Sequence, residues 1–322
     1  MQYRIGSFNM KNFGANPKRD FATIARIILE ERLDVVALQE ILSEGKGVRT
    51  MLEQCVKYQL YDWDFCWASP NDSSDLNKLF TTIQGDRRGE GYAYIWNRKA
   101  FKLVETQKMG KSKQFSPRIV NSLSNDVMSD CSFLARAPYY IRLEPIYGGF
   151  FELRLINIHI YWGSSSLADI QKRKLEYEFL VGEIYPSISQ RRYGNFRAAY
   201  TIAMGDYNLN ILKPFTTPQA KNAYINEVYN YNDGKKQFSV LTTQDQLSTL
   251  KAPALHGSGD GALNHEGYAN NYDHFSYSPQ LTHFTGVSCS VVDAVQNYCN
   301  GDFAYYRDNI SDHLPVIMEI EI

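Results

Sequence analysis

Three observations predict one large domain in which strands and helices alternate. Short apolar, β-branched runs of strand character recur along the whole chain, as at Asp34–Leu38, Leu153–Ile160 and Thr201–Met204. Between them lie stretches with helical spacing, such as Phe21, Ile24, Ala25 and Ile28 at i, i+3, i+4 and i+7. No Pro/Gly/Ser-rich linker and no shift of composition divides the 322 residues, 44% of which are hydrophobic. A single domain spanning 1–322 with a large core is therefore expected.

Taken in order, Tyr3–Phe8 reads as the first strand, followed by a helix from about Asp20. Asp34–Leu38 is a run of the kind buried on both faces, and it stops at Gln39–Glu40. Tyr61–Ala68 alternates large aromatics with Asp62, Asp64 and Cys66, the pattern of a half-buried strand. Ser69–Gly89 is polar and reads as loop, after which Glu90 opens a strand reaching Trp96. Tyr139–Glu144 and Phe150–Ile158 form a strand pair turned by Gly148–Gly149, with His159 near the end of the second. Ser164–Ser166 offers a cap for a helix carrying Tyr177, Leu180, Val181 and Ile184 at helical spacing. Lys213–Gly234 reads as loop and a short helix, and Gly257–Asn271 as a long loop before a strand at Asn271–Phe275. Val316–Ile322 is the last strand.

The net charge of −1 excludes a globally basic nucleic-acid binder, so a phosphate-rich partner needs a local patch. The strongest charge bias lies between Arg98 and Arg118, where Arg98, Lys99, Lys102, Lys108, Lys111, Lys113 and Arg118 face a single acid, Glu105. This stretch is the candidate for contact with a nucleic-acid backbone. Five cysteines without CxxC spacing fit reduced thiols better than a disulfide framework or a zinc site. The start of the chain lacks the basic, apolar and small-residue pattern of a signal peptide, and no run is long enough to span a bilayer. A cytoplasmic protein without a membrane partner is expected.

The stretch Met204–Gly205–Asp206–Tyr207–Asn208 delivers a carboxylate and an amide two residues apart at a strand end. A carboxylate binds a hard cation and an amide can hold a phosphate oxygen, which suits phosphoryl chemistry. Gly-Asp-x-Asn alone is also ordinary turn chemistry. Other strand ends carry similar groups: Phe8–Asn9–Met10–Lys11–Asn12–Phe13–Gly14, Leu38–Gln39–Glu40, Asn157–Ile158–His159, Tyr272–Asp273 and Ser311–Asp312–His313–Leu314–Pro315–Val316. In this order the six motifs resemble the endonuclease/exonuclease/phosphatase superfamily, over essentially the whole chain. The opening motif, the strand start at Glu90–Gly91–Tyr92, Arg136 before Pro138 and His159 resemble its deoxyribonuclease I-like branch most.

That resemblance implies an α+β fold, a four-layer α/β/β/α sandwich of two mixed β-sheets flanked by helices. It also implies a metal-dependent phosphodiesterase, an endonuclease hydrolysing DNA by general acid and base catalysis with two histidines. In that reading His313 with Asp273 activates water, and His159 with Glu90 protonates the leaving oxygen. Glu40, Asn9 and Asp312 would hold Mg2+, with Mn2+ or Ca2+ as substitutes. Asp206 and Asn208 would position the phosphate, and Arg136 would grip one of its oxygens. A ribonuclease, a sphingomyelinase-like or inositol-phosphate phosphoesterase, and a non-catalytic binding module are the alternatives. Segments 105–132 and 257–270 match no pattern of the superfamily.

Overall fold

Period-two burial sorts the strand side chains onto two faces, and the two faces belong to different cores. The computed structural model describes residues 1–42, 45–57, 62–68, 90–104, 106–107, 114–120, 134–148, 150–193, 197–210, 239–241, 246–251, 267–277 and 284–322. The N-terminal part runs β1 (Gln2–Phe13), α1 (Phe21–Glu30), β2 (Val35–Ile41), α2 (Lys46–Lys57), β3 (Trp63–Ala68) and β4 (Gly91–Asn97). The middle runs β5 (Phe101–Leu103), β6 (Thr106–Gln107), β7 (Gln114–Ser116), β8 (Arg118–Ile119), β9 (Tyr139–Pro145), β10 (Phe151–His159) and α3 (Leu167–Phe179). A π-helical turn at Leu180–Ile184 carries α3 into α4 (Tyr185–Ser189). Then come β11 (Ala198–Asp206), β12 (Ser239–Leu241), β13 (Asp273–Tyr277), β14 (Gly286–Val291), α5 (Ala294–Cys299), α6 (Phe303–Asn309) and β15 (Val316–Glu321).

Two sheets result. The first has the order β14-β15-β1-β2-β4-β3, and the second β12-β13-β11-β10-β9-β5 with β8 on β9. Ile5, Val35 and Ala37 of the first sheet meet Leu153, Leu155, Ile202 and Met204 of the second in a central core. The residues between them point the other way. Phe8, Met10, Val36 and Leu38 pack with Ile24, Ile28, Met51, Val295 and Tyr306, so α1, α2, α5 and α6 cover the first sheet. Ile156, Ile158 and Ala203 pack with Tyr177, Val181, Ile184 and Ile188, so α3 and α4 cover the second. Three cores between four layers are the α/β/β/α sandwich expected from the sequence. Each fully buried Leu, Ile or Phe contributes about 1.5–3 kcal/mol, which is what holds the layers together.

Among the described cysteines, Cys55, Cys289 and Cys299 are free thiols. No helix among the described residues is long and apolar enough to cross a membrane. The helix expected from Asp20 is present, with the Asp20 side chain accepting the Thr23 N–H at 3.0 Å as its N-cap. α2, β14, α5 and α6 lie where the sequence reading placed no element. The expected loop at Ser69–Gly89, the Lys213–Gly234 segment and most of the long loop before β13 lie outside the described residues.

Candidate active site

Strand direction brings the chemistry to one end of the sandwich. β1 runs parallel to β2 and antiparallel to β15, and β4 runs antiparallel to β2. The ends of β1 and β2, carrying Asn9 and Glu40, therefore lie beside the approaches to β4 and β15, which carry Glu90 and His313. In the other sheet His159, Asp206 and Asp273 are register partners across β10, β11 and β13. Two backbone irregularities aim the side chains. Glu40 sits at φ 58 where the β2 register shifts, a bulge that turns its carboxylate inward. At Gly205, φ is +147 and a Cβ would stand 1.9 Å from the Ile158 carbonyl oxygen, so only glycine lets β11 close on β10 here.

Buried amides join the sheets beneath the site. Asn157 accepts from Gln39 Nε2 at 2.7 Å and donates to the carbonyls of Leu38 and Ala93 at 3.0 and 3.2 Å. Asn9 Nδ2 donates to Glu40 Oε1 at 3.2 Å and to Asp206 Oδ2 at 3.0 Å. Asp206 Oδ2 stands between the two histidines, 3.6 Å from His159 Nε2 and 3.7 Å from His313 Nε2. His313 Nδ1 donates to Asp273 Oδ2 at 2.8 Å. Two trios result, Glu40 with Glu90 and His159, and Asp206 with Asp273 and His313, with the ligand atoms of each within 4.8 Å of one another.

The surroundings give the two histidines opposite charge states. Burial, with Arg136 and His313 nearby, holds His159 well below its ordinary value, so it is neutral at neutral pH. Burial also works against protonating His313, but Asp273 and Asp206 outweigh it and lift it to about 10. Burial pushes the Asp206 carboxyl up to about 7; His313 and the Asn208 and Asn9 donors pull it down, and Asp273 pushes it up.

Other expected residues take different places. Glu90 is gripped by Arg136 in an ion pair at 2.5 Å, and Nδ1 of His159 is buried without a hydrogen-bond partner. The ligand atoms of Glu90 and His159 still lie within 4.8 Å of each other. Asn9 presents donors to two carboxylates while its Oδ1 accepts the Lys11 N–H at 3.0 Å, so it ties carboxylates together rather than facing a cation with its oxygen. Asp312 pairs with Lys11 Nζ at 2.9 Å. Glu40 groups with Glu90 and His159, and Asp312 belongs to neither trio among the described residues. Asn208 donates from Nδ2 to the Ile160 carbonyl at 2.8 Å, and its N–H donates to Asp206 Oδ1 at 2.8 Å.

The basic stretch is divided. Arg98 and Lys99 follow the end of β4, and Asn97 lies seven residues from the Glu90 end of that strand, about 20 Å away along an extended chain. Both therefore stand at the end of the sandwich opposite the site, and Lys99 is paired with Asp62 at 2.5 Å. As contacts to a substrate in this site they are corrected by strand direction. The Arg118 backbone pairs with Tyr140 of β9, toward the site end. Lys108, Lys111 and Lys113 lie outside the described residues.

Sequence reasoning missed Ser248, Arg173 and Glu176. Ser248 is fully buried, and its Oγ donates to Asp273 Oδ2 at 2.7 Å while accepting the N–H groups of Tyr272 and Asp273 at 3.0 and 3.1 Å. Its carbonyl accepts the Leu314 N–H at 2.7 Å, beside His313. Both partners of the His313–Asp273 pair are thereby held by one residue. No local pattern marks it.

The donor set fits a hard divalent cation. Glu40 and Glu90 offer two carboxylates, with the His159 imidazole beside them and no thiolate.

By sequence, no protein-family model and no curated protein matches the chain. By structure, it has the fold of endonuclease/exonuclease/phosphatase proteins. It is similar to a mannosyl-6-phosphatase of Bacteroides thetaiotaomicron, with 16% identity, TM-score 0.55, and 99% of this chain and 100% of that one covered. It is also similar to a humanized TDP2 from D. rerio, with 13% identity, TM-score 0.54, and coverage of 100% and 99%. An endonuclease/exonuclease/phosphatase protein of Bacteroides vulgatus aligns at 12% identity and TM-score 0.52, with 100% and 99% covered.

Proposed function

We infer that the protein is a divalent-metal-dependent phosphoesterase, and that its substrate is a phosphodiester of DNA cleaved endonucleolytically. The observation that carries the chemistry is the Asp206 carboxylate standing 3.6 and 3.7 Å from two imidazoles of opposite charge state. Hydrolysis needs a base for water, an acid for the leaving oxygen and positive charge against the phosphoryl oxygens. Neutral His159 accepts the proton of the attacking water. Cationic His313, oriented by Asp273, faces the phosphoryl oxygens and protonates the leaving oxygen. This reverses the roles that the superfamily resemblance implies for the two histidines. Glu40 and Glu90 would hold Mg2+, which would supply Lewis-acid polarisation of the phosphoryl group when bound, leaving the lone pair of His159 for the proton of the water. Asn9 and the Asn12 N–H, which donates to Glu40 Oε2 at 2.8 Å, keep the carboxylates in place.

A second reading, hydrolysis of a small phosphoester, is favoured by the distal position of Arg98 and Lys99 and by the net charge of −1. Supercoiled plasmid incubated with Mg2+ or Mn2+, beside EDTA and Asp206→Ala controls, separates the two. Metal-dependent nicking lost in the variant supports the nuclease. Intact plasmid, with release of phosphate from a small ester, removes DNA as the substrate and keeps the site.

A further inference from the structure

Trp162 stands three residues beyond His159 with 43% of its surface exposed, and its loop is tied to α3 by hydrogen bonds. Tyr161 N–H donates to Glu176 Oε2 at 3.1 Å. Arg173 donates to the carbonyls of Trp162 and Ser164, and its guanidinium lies 4.9 Å from the centre of the Trp162 ring. Arg173 and Glu176 are each only 2% exposed. Gly163 is at φ +63, where a Cβ would meet the Tyr161 ring at 2.4 Å, and Lys172 Nζ caps that ring at 3.8 Å. Two buried charged side chains of α3 are thus spent on fixing an exposed tryptophan. Glu176 also accepts the Ala135 N–H at 3.0 Å, so the same residue sets the approach to Arg136.

The ring also has a defined neighbour. Its centre is 5.6 Å from that of Tyr272, at an interplanar angle of 52°. Tyr272 precedes Asp273, and its carbonyl accepts the Tyr207 N–H at 2.8 Å. The two rings therefore rise from β10 and β13, on either side of the β11 end that carries Asp206 and Asn208. Burial pushes the Tyr272 phenol up to about 12; Arg173 pulls it down, and the field of Asp206 pushes it up.

We propose that Trp162, backed by Tyr272, is a stacking platform beside the reactive phosphate for a ring on the group esterified to it, the flat face of a nucleobase or a pyranose. The proposal rests on the phosphoesterase reading and names the kind of ester. An immobilised aromatic wall loses little freedom on binding, which is why a clamped tryptophan serves recognition where a loose one does not. A stacked base contributes about 1–3 kcal/mol, and 1.4 kcal/mol is tenfold in affinity.

The test is calorimetric titration in Mg2+ with thymidine 5′-monophosphate, mannose 6-phosphate and ethyl phosphate. Wild type should bind at least one ring-bearing phosphate about tenfold or more tightly than ethyl phosphate. In Trp162→Ala and in the bulk-preserving Trp162→Leu that advantage should vanish while ethyl phosphate binds as before. Whether the nucleotide, the sugar phosphate or both lose the advantage identifies the ring. Retention of the ring preference in both variants, or equal affinity of all three ligands for wild type, overturns the platform alone. Failure of wild type to bind any of the three overturns the phosphoesterase reading with it.

Discussion

At the scale of single residues, the charge states of His313 and His159 carry the mechanism, and a leaving-group series tests them. His313→Ala should lower cleavage of an alkyl phosphodiester by roughly a hundredfold or more, because the leaving oxygen then lacks its proton. A p-nitrophenyl ester, whose leaving oxygen needs no proton, should lose only about tenfold from the missing charge. His159→Ala should slow both esters alike; the opposite pattern would restore the roles implied by the superfamily. Ser248→Ala should reduce kcat roughly tenfold with KM little changed, and Ser248→Thr should recover most of it, since only the hydroxyl orients Asp273. A KM effect, or no recovery with Thr, would mean that Ser248 merely packs. The contrast shows what the sequence makes legible. Asp206, His313 and Glu40 stand out because strand ends carry them in a fixed order. Ser248 does not, because its partner Asp273 is 25 positions away and a lone serine has no periodicity. Glu90 is visible from sequence as a strand-start carboxylate, but its capture by Arg136, 46 positions on, is a tertiary fact.

At the scale of elements, the long strands β1, β2, β4, β9, β10 and β11 were legible because their two-residue period survives in the residue types, or because runs such as Val35–Leu38 are apolar on both faces, whereas β5 to β8, β12 and β14 were not. The short helices were not. α5 and α6 span six and seven residues, too few for a helical period to repeat, and depend on Asp293 and Asp302 as N-caps. α2 does place Val48, Met51 and Cys55 on its buried side, but Gly45 and Gly47 at its start give the segment the look of a loop. The junction of β10 with β11 is where an element decides function, since the His159–Asp206 register depends on a glycine. Gly205→Ala puts a methyl 1.9 Å from the Ile158 carbonyl oxygen and should destabilise the fold by about 2–4 kcal/mol. Thermal unfolding reads this, and an unchanged midpoint would show that the strands can separate at no cost. Gly182, whose added Cβ would meet nothing within 4 Å, is the matched control.

At the scale of the whole molecule, the cation site lies where the two sheets meet, with Glu40 and Glu90 from the first and His159 and Asp206 of the second beside them. Binding there should tie the halves of the sandwich together, and pH should govern by how much. The folded Asp206 carboxyl titrates at about 7 against an ordinary 3.8, so the folded chain holds that proton more tightly. Its contribution is full below about 3.8 and is lost as pH rises through 7. His313, at about 10 against 6.5, contributes fully below 6.5 and loses that contribution as pH rises through 10. Above about pH 6.5 both signs agree, so the metal-free protein should weaken as pH rises toward 10; below about 6.5 the depressed His159 and His274 act the other way, because the unfolded chain takes up their protons first. A divalent cation at Glu40 and Glu90 opposes this trend, because its charge favours the ionised form of the Asp206 carboxyl beside it. At roughly a hundred times its dissociation constant, Mg2+ should add about 2.7 kcal/mol, a rise in Tm of about 4 °C at about pH 8 for a chain of this length. At about pH 5.5, where Asp206 is mostly protonated, the rise should be much smaller. Asp206→Asn should flatten the pH dependence in the acid range while Glu40 and Glu90 still give part of the metal shift. Equal Mg2+ shifts at both pH values would separate Asp206 from the cation, and no shift at either would mean that the carboxylates joining the two sheets hold no metal at all.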